Sequence, residues 1–262
     1  QGLYVLQKRP GDMVSNVDIS HISFKLNNIF SEIVKDAFGN LWIAAFNEGV
    51  SMIDLNKPFI QNNSLLTIRK KTGFNANVKN IYEDEDGDLW INQNRWGVGI
   101  LKPNSTDIQF HTDIPSLNGF SNLKNISCIA PVSSLHEVWL GTEYDFEIYR
   151  VKKEKGKMQL LGTLNLKKYV TGNPGEPYLF YEDSKRNFWI ITTAGILVKP
   201  VGKKDIQDTH IVLKNITGIV EGKDNTLWIS TKKQGVYTAL IPSQLKFEKS
   251  NLRNLTSETD GL

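Results

Sequence analysis

The sequence predicts an all-β protein built from β-propeller blades of four antiparallel strands, because three features recur together along it. Tryptophan stands at Trp42, Trp90, Trp139, Trp189 and Trp228, separated by 48, 49, 50 and 39 residues. Each lies in an apolar triplet: Leu41-Trp42-Ile43, Leu89-Trp90-Ile91, Val138-Trp139-Leu140, Phe188-Trp189-Ile190 and Leu227-Trp228-Ile229. A polar turn precedes most triplets, and a loop followed by a second apolar pair comes after them. Four short strands in a period of about 40 to 50 residues is what a propeller blade requires. The alternation has period two, without long stretches at period 3.6, which excludes helical solenoids.

The first strand of each unit is marked nine residues before its Trp, at Ile33, Ile81, Ala130, Phe180 and Ile219, and an acid usually follows, as in IVKDAFGNLWI and IYEDEDGDLWI. The Trp triplet is the second strand. Between them, Gly39-Asn40, Gly87-Asp88, Arg186-Asn187 and Asn225-Thr226 stand where a tight hairpin needs positive φ. The third strand is read from Gly49-Val50, Gly99-Ile100, Gly195-Ile196 and Gly235-Val236, with Glu147-Ile148 in the middle unit. The fourth is read at DIQFHT from Asp107 and LKFEKS from Leu245. No helix is expected.

These marks place complete blades at about 29–73, 74–119, 120–170, 171–212 and 213–255, after a partial blade over 1–28. QGLYVL at Gln1 resembles QGVYTAL at Gln234, so the chain is expected to open on the third strand of a blade whose first half is missing. Asp260-Gly261-Leu262 resembles Thr72-Gly73-Phe74 and Asn118-Gly119-Phe120, so residues 256–262 are read as the start of a further blade. The whole reads as a single segment of a larger propeller, with no ring closed by these blades alone. Gln1 is neither an initiator Met nor the start of a signal segment, which also suggests a piece of something longer.

A chain of 262 residues with 40% apolar content buries a sizeable core, and it has no apolar run near the length of about 20 that spans a bilayer. No membrane contact by this segment is expected. The net charge is only +3, and the lysine pairs are spread along the chain with acids between them, which argues against a nucleic-acid groove. The one cysteine, Cys128, sits between Ile126 and Ile129, where a buried inert thiol is expected.

The units follow a pattern of the form I.ED..G.LWI.T..GG(L/I), and the sequence resembles the two-component regulator propeller repeat. The best copies run from Gly73-Phe74 through Gly99-Ile100 and from Gly119-Phe120 through Gly141-Thr142. Two departures predict irregular blades: Ser133-Ser134-Leu135-His136 replaces the acidic turn before Trp139, and Gly222 stands where other units carry Asp36, Asp84 or Asp183. The resemblance implies a place in the periplasmic sensor half of a bacterial membrane receptor, often a hybrid histidine kinase controlling polysaccharide use. Fold alone does not specify function, so this implication is an analogy.

The cluster Glu83, Asp84, Glu85, Asp86 and Asp88 lacks the spacing and terminal Glu of a calcium loop, so it is read as a hairpin whose Asp84 caps its own backbone, with no metal and no cofactor expected. The histidines His21, His111, His136 and His210 fall at unrelated repeat positions without a partner motif, so no catalytic residue is nominated. The recurrent tryptophans are read as core between sheets.

Trp96 alone is out of register, in a loop read as two residues longer than its counterparts. Its indole beside Asn94 and Arg95 suits a sugar face with its hydroxyls or acidic substituents. The equivalent loops carry Phe46-Asn47-Glu48, Glu143-Tyr144-Asp145, Thr193-Ala194 and Lys232-Lys233-Gln234. The expected ligand face therefore comprises Trp96, Arg95, Asn94, Phe46, Asn47, Tyr144 and Asp145, with an oligosaccharide as ligand and the rest of a receptor chain and a homodimer as protein partners. A scaffold used only for protein contacts, and a propeller lyase or hydrolase, are the alternatives.

Overall fold

A computed structural model describes residues 3–7, 18–22, 30–45, 49–55, 65–68, 77–93, 97–102, 108–111, 123–154, 157–248 and 252–255. The chain divides into two compact units, Gln1–Gln93 with Gly99–Gln109, and Asn94–Val98 with Phe110–Leu262. The fold is that of β-propeller blades, all of its sheets antiparallel. Helix among the described residues is limited to three-residue 3-10 turns at Leu123–Asn125, Ser133–Leu135 and Leu166–Lys168.

In the first unit, β1 (Leu3–Gln7) pairs with β2 (Asp18–Ile22). A four-stranded sheet follows, β3 (Phe30–Lys35), β4 (Asn40–Ala45), β5 (Gly49–Asp54) and β6 (Leu65–Ile68). The next is β7 (Val78–Glu83), β8 (Leu89–Gln93), β9 (Gly97–Leu101) and β10 (Ile108–His111). The second unit holds three more sheets in the same sequential order. They are β11 (Ile126–Val132) to β14 (Lys157–Asn165) through β12 (Glu137–Thr142) and β13 (Glu147–Glu154), then β15 (Pro177–Glu182) to β18 (Gln207–Ile211) through β16 (Phe188–Thr192) and β17 (Ile196–Lys199). The last runs from β19 (Ile216–Glu221) through β20 (Thr226–Thr231) and β21 (Val236–Leu240) to β22 (Arg253–Leu255). Within each unit successive sheets meet along their first strands, β3 on β7, β11 on β15 and β15 on β19.

The repeat motif has a physical role at each position. In three hairpins the turn Asp locks the Trp: the indole Nε1 donates to Asp36 Oδ2 at 2.8 Å from Trp42, to Asp84 Oδ2 at 2.8 Å from Trp90 and to Asp183 Oδ2 at 3.0 Å from Trp189. The other oxygen caps the turn, as where Asp84 Oδ1 accepts from the Asp86 and Asp88 amides, the cap read from the sequence. The preceding Glu reaches back to the previous hairpin of its own unit. Glu83 accepts from Ala37 N, Glu182 from Ser133 N and Ser134 N, and Glu221 from Ser184 N. Thus Asp ties a sheet to itself and Glu ties it to its neighbour. The positive φ expected in the turns is present at Gly39, Gly87, Arg186 and Asn225, at 84°, 77°, 67° and 60°.

Both departures have local solutions. In the middle sheet His136 takes φ 52° and Glu137, on the strand itself, replaces the missing Asp, accepting from Trp139 Nε1 at 2.9 Å and pairing with Arg150. In the last hairpin a Cβ on Gly222 would stand 2.8 Å from Trp228 Nε1, so the turn tightens around Asp224 instead, whose carboxyl is held below its ordinary value by the Thr226 side chain.

Three expectations are corrected. Trp228 is 39% exposed, whereas the other four register tryptophans are at most 7% exposed. Trp139 is covered by Phe188 of the next sheet and Trp189 by the Ile216, Leu227 and Ile229 cluster, while no sheet covers Trp228 among the described residues. The fourth strand of the last sheet is β22, not the segment from Leu245. Leu245 and Phe247 drop into the core beside Trp189, and Phe247 N donates to Thr209 O of β18 at 3.0 Å. Finally, β9 starts at Gly97 (φ 101°), matching Gly49 (84°) and Gly235 (77°), so the Trp96 loop has the same three-residue length as 46–48. Glycine is needed there because the chain turns into the third strand through positive φ.

Cys128 is buried and in no disulfide, as expected. Burial raises Glu137, but the Arg150 hydrogen bonds and the Trp139 indole outweigh it, leaving this carboxyl below its usual 4.5. A depressed folded-state pKa contributes stability that is fully present above the unfolded value and lost as pH falls through the folded one. The stability gap between the native chain and Glu137→Gln should therefore narrow as denaturation midpoints are followed from pH 7 to pH 3. A gap constant with pH would exclude this role.

Candidate functional site

The face carrying the loops between second and third strands is built by backbone in the second unit. At the end of each second strand a Thr closes its loop: Thr142 Oγ1 donates to Glu147 O at 2.9 Å, Thr231 Oγ1 donates to Gly235 O at 2.9 Å, and Thr192 Oγ1, which donates to Pro174 O at 2.6 Å, accepts from the Ala194 and Gly195 amides at 3.2 and 3.1 Å. The first residue of each loop then donates its amide to the connection entering the same sheet: Glu143 N to Asn125 O at 2.7 Å, Thr193 N to Glu176 O at 3.0 Å and Lys232 N to Asn215 O at 2.9 Å. Loops and inter-sheet connections thus share one face, with rigid loop roots.

Of the nominated residues, Phe46, Asn47, Asn94, Arg95 and Trp96 lie outside the described residues. Tyr144 and Asp145 are placed on the loop 143–146. Tyr144 is 69% exposed with φ 75°, and Phe146, at φ 55°, lies under Lys167 Nζ, 4.6 Å from its ring centroid. The strained turn holds an aromatic and an acid outward, a conformation L-residues adopt at a cost.

The neighbouring loops form a hollow that the sequence did not single out. A pocket of about 340 Å³ is lined by Tyr178, Thr193, Lys214, Asn215, Thr217 and Lys232, with Ile216 at its base. Thr193 and Lys232 were recognisable as loop residues equivalent to Trp96; Tyr178, Lys214 and Thr217 come from the connections and first strands, where no motif marks them. The Tyr178 hydroxyl is buried, and its proton has no acceptor. Burial pushes its phenol up, opposed by the nearby Ile216 backbone.

On the opposite, hairpin side, Asp84, Asp86 and Asp88 place carboxylate oxygens within 4.8 Å of one another. Asp84 is occupied by backbone and indole donors and Asp88 by Lys102 Nζ at 2.6 Å, so the group serves the turn. His210 lies 3.6 Å from Asp208, two residues away on the fourth strand β18, near the end where Ile211 pairs with Ile196.

A family model described as the two component regulator propeller matches residues 72–94, the span holding the Glu83 clamp, the Asp84 lock and Trp90. The repeat at residues 72–94 is that of the two-component regulator propeller. Among solved structures, this chain is similar to the extracellular domain of a hybrid two-component system from B. thetaiotaomicron, at 13% identity and TM-score 0.68, over 99% of this chain and 34% of that one. A second such extracellular domain from the same organism matches at 17% identity and TM-score 0.50, over 87% of this chain and 35% of that one. A gluconolactonase from Xanthomonas campestris matches at 14% identity and TM-score 0.55, over 81% of this chain and 72% of that one. The chain thus spans about a third of the length of the two receptor domains, and at these identities the likeness shows the fold. No curated protein matches the sequence. Among the described residues no helix is long and apolar enough to cross a membrane.

Proposed function

We propose that this chain is a non-enzymatic recognition propeller from the extracytoplasmic, periplasmic sensor of a bacterial two-component receptor, reading a carbohydrate-derived ligand on its loop face. The observation that carries the reading is the division of labour between faces. The hairpin side repeats an Asp–Trp lock in three sheets and a Glu clamp between three pairs of hairpins, whereas the loop side of the second unit has the same backbone staples in its three sheets under loop side chains that differ from sheet to sheet. A fixed scaffold under a varied rim is how recognition surfaces are built. The regulator propeller repeat and the receptor domains it resembles support the sensor setting. The rest of the receptor chain and a second copy are its protein partners in this reading, and Arg95, Trp96, Asn94, Phe46, Asn47, Tyr144 and Asp145 belong to its rim.

Calorimetric titration of an oligosaccharide panel against the chain should give saturable binding without turnover. Arg95→Ala, Trp96→Ala or Tyr144→Ala should weaken it by about 1 to 3 kcal/mol, the scale of a charged hydrogen bond or an aromatic stack. Asp86→Asn, on the hairpin side, should leave affinity unchanged. Binding sensitive to Asp86 alone, or none across the panel, would overturn the assignment.

One observation favours the alternative of a protein-contact scaffold: Val220, Trp228 and Leu240 expose apolar surface together on the last sheet, at 53%, 39% and 67%. Sedimentation of the native chain and of Trp228→Glu separates the readings, since a scaffold acting through this face loses self-association in the variant.

A further inference from the structure

We infer that the hollow between Tyr178, Thr193, Lys214 and Lys232 takes the acidic ring of a saccharide, a uronate whose carboxylate lies between the two lysines. This rests on the carbohydrate reading above and narrows it to a ligand class and a place.

Size comes first. A volume of about 340 Å³ is at the lower end for small-molecule sites, room for about one sugar ring with its substituents.

Charge comes second. Lys214 and Lys232 line the hollow from different elements, the connection before β19 and the loop after β20, and no carboxylate lines it with them. Neither lysine is in an ion pair among the described residues, whereas Lys102, Arg150, Lys152 and Arg186 all are. Two like charges converging on one concavity without a counter-ion repel each other, and an anion between them removes that repulsion.

The hydroxyl inventory is the third line. Thr193 Oγ1 accepts from Glu176 N at 3.0 Å, which leaves its proton free to donate. Thr217 Oγ1 is engaged with Ser230 Oγ at 2.9 Å, which in turn reaches Gly218 O at 3.5 Å, so Thr217 offers a ligand its remaining lone pair as an acceptor. Tyr178 presents a buried hydroxyl whose oxygen lies against the Ile216 backbone and whose own proton has no acceptor, a demand that a ligand oxygen meets. A bare inorganic anion would answer the lysines and leave Tyr178 unmet; a neutral sugar would answer the hydroxyls and leave the lysines unpaired. A uronate answers both.

The site is also rigid before binding. Lys232 N to Asn215 O and Thr193 N to Glu176 O fix both loop roots to the connections that carry Lys214 and lead to Tyr178, so little ordering is lost on association.

The test uses the whole chain and four disaccharides, cellobiouronate and digalacturonate, each beside its carboxyl-reduced neutral counterpart, with inorganic sulfate as a competitor. At least one uronate should bind tenfold or more tightly than its neutral counterpart, and that preference should shrink with added salt. Lys214→Gln and Lys232→Gln should each weaken the uronate about tenfold without changing the melting temperature. Tyr178→Phe should weaken it as well, while Lys233→Gln, one residue beyond the hollow, should not.

Equal binding of acidic and neutral sugars, indifferent to Lys214 and Lys232, would overturn the uronate site and leave the carbohydrate reading standing. Sulfate binding with no saccharide binding at all would overturn both. Uronate binding that survives both lysine substitutions but is lost in Trp96→Ala would move the acidic ligand to the rim and overturn the placement.

Discussion

Trp189→Ala should destabilise the protein by about 3 to 5 kcal/mol, the scale of large aromatic truncations in a core, while Trp228→Ala should cost under about 1.5. The two residues occupy the same position of the repeat, so the contrast isolates environment from local sequence. Trp189 is fully buried, packs edge-on to Phe247 with ring centroids 6.1 Å apart, and belongs to one cluster with Ile216, Leu227 and Ile229 of the next sheet. Removing it leaves a cavity at a junction between sheets, where neither can close alone. Trp228 is 39% exposed, and the position of its locking Asp is taken by Gly222. Urea denaturation followed by circular dichroism measures both. Equal shifts in midpoint would mean that the covered and uncovered indoles contribute alike, which would sink the account of inter-sheet packing.

Asp183→Ala should cost about 3 kcal/mol, the second largest effect. Asp183 is 3% exposed and its two oxygens accept from Lys185 N, Asn187 N, Asn187 Nδ2 and Trp189 Nε1. Alanine would strand the indole N–H and an amide group in a water-poor interior, and stranded donors cost more than the bonds themselves contribute. Asp183→Asn should recover little, because its NH2 must then face a donor on one side. The same substitution pair at Asp86, on an exposed turn, should stay within about 0.5 kcal/mol. If Asp183→Asn proved as stable as the native chain, the carboxylate would not be the lock.

How much of this was legible beforehand follows from range. The hairpin motif acts over six residues, Asp183 to Trp189 or Asp84 to Trp90, so its spacing survives in the chain and announces the blade. The positive-φ turn positions are similarly local, and were read even where Arg186 replaces glycine. The Glu clamp spans 37 to 49 residues and was visible only as an unexplained acid before each turn. The misreading of Gly99 for Gly97 arose because two glycines flank Val98, and only the backbone distinguishes the one with φ 101°.

Among the candidate residues, the rim loops were recognisable as loops because they interrupt the period. The pocket was not, since Tyr178, Lys214 and Thr193 are distant in sequence and carry no shared pattern.

The blade, its repeat length and its hairpin turns are legible in the sequence, because these depend on contacts within one hairpin. Only the tertiary structure decided which tryptophan lies uncovered, that Phe247 fills the core beside Trp189 instead of pairing as a fourth strand, and which lysines and hydroxyls converge on one hollow. Burial and convergence depend on what another sheet brings to the same point in space, and a periodic sequence repeats its local contacts without stating that.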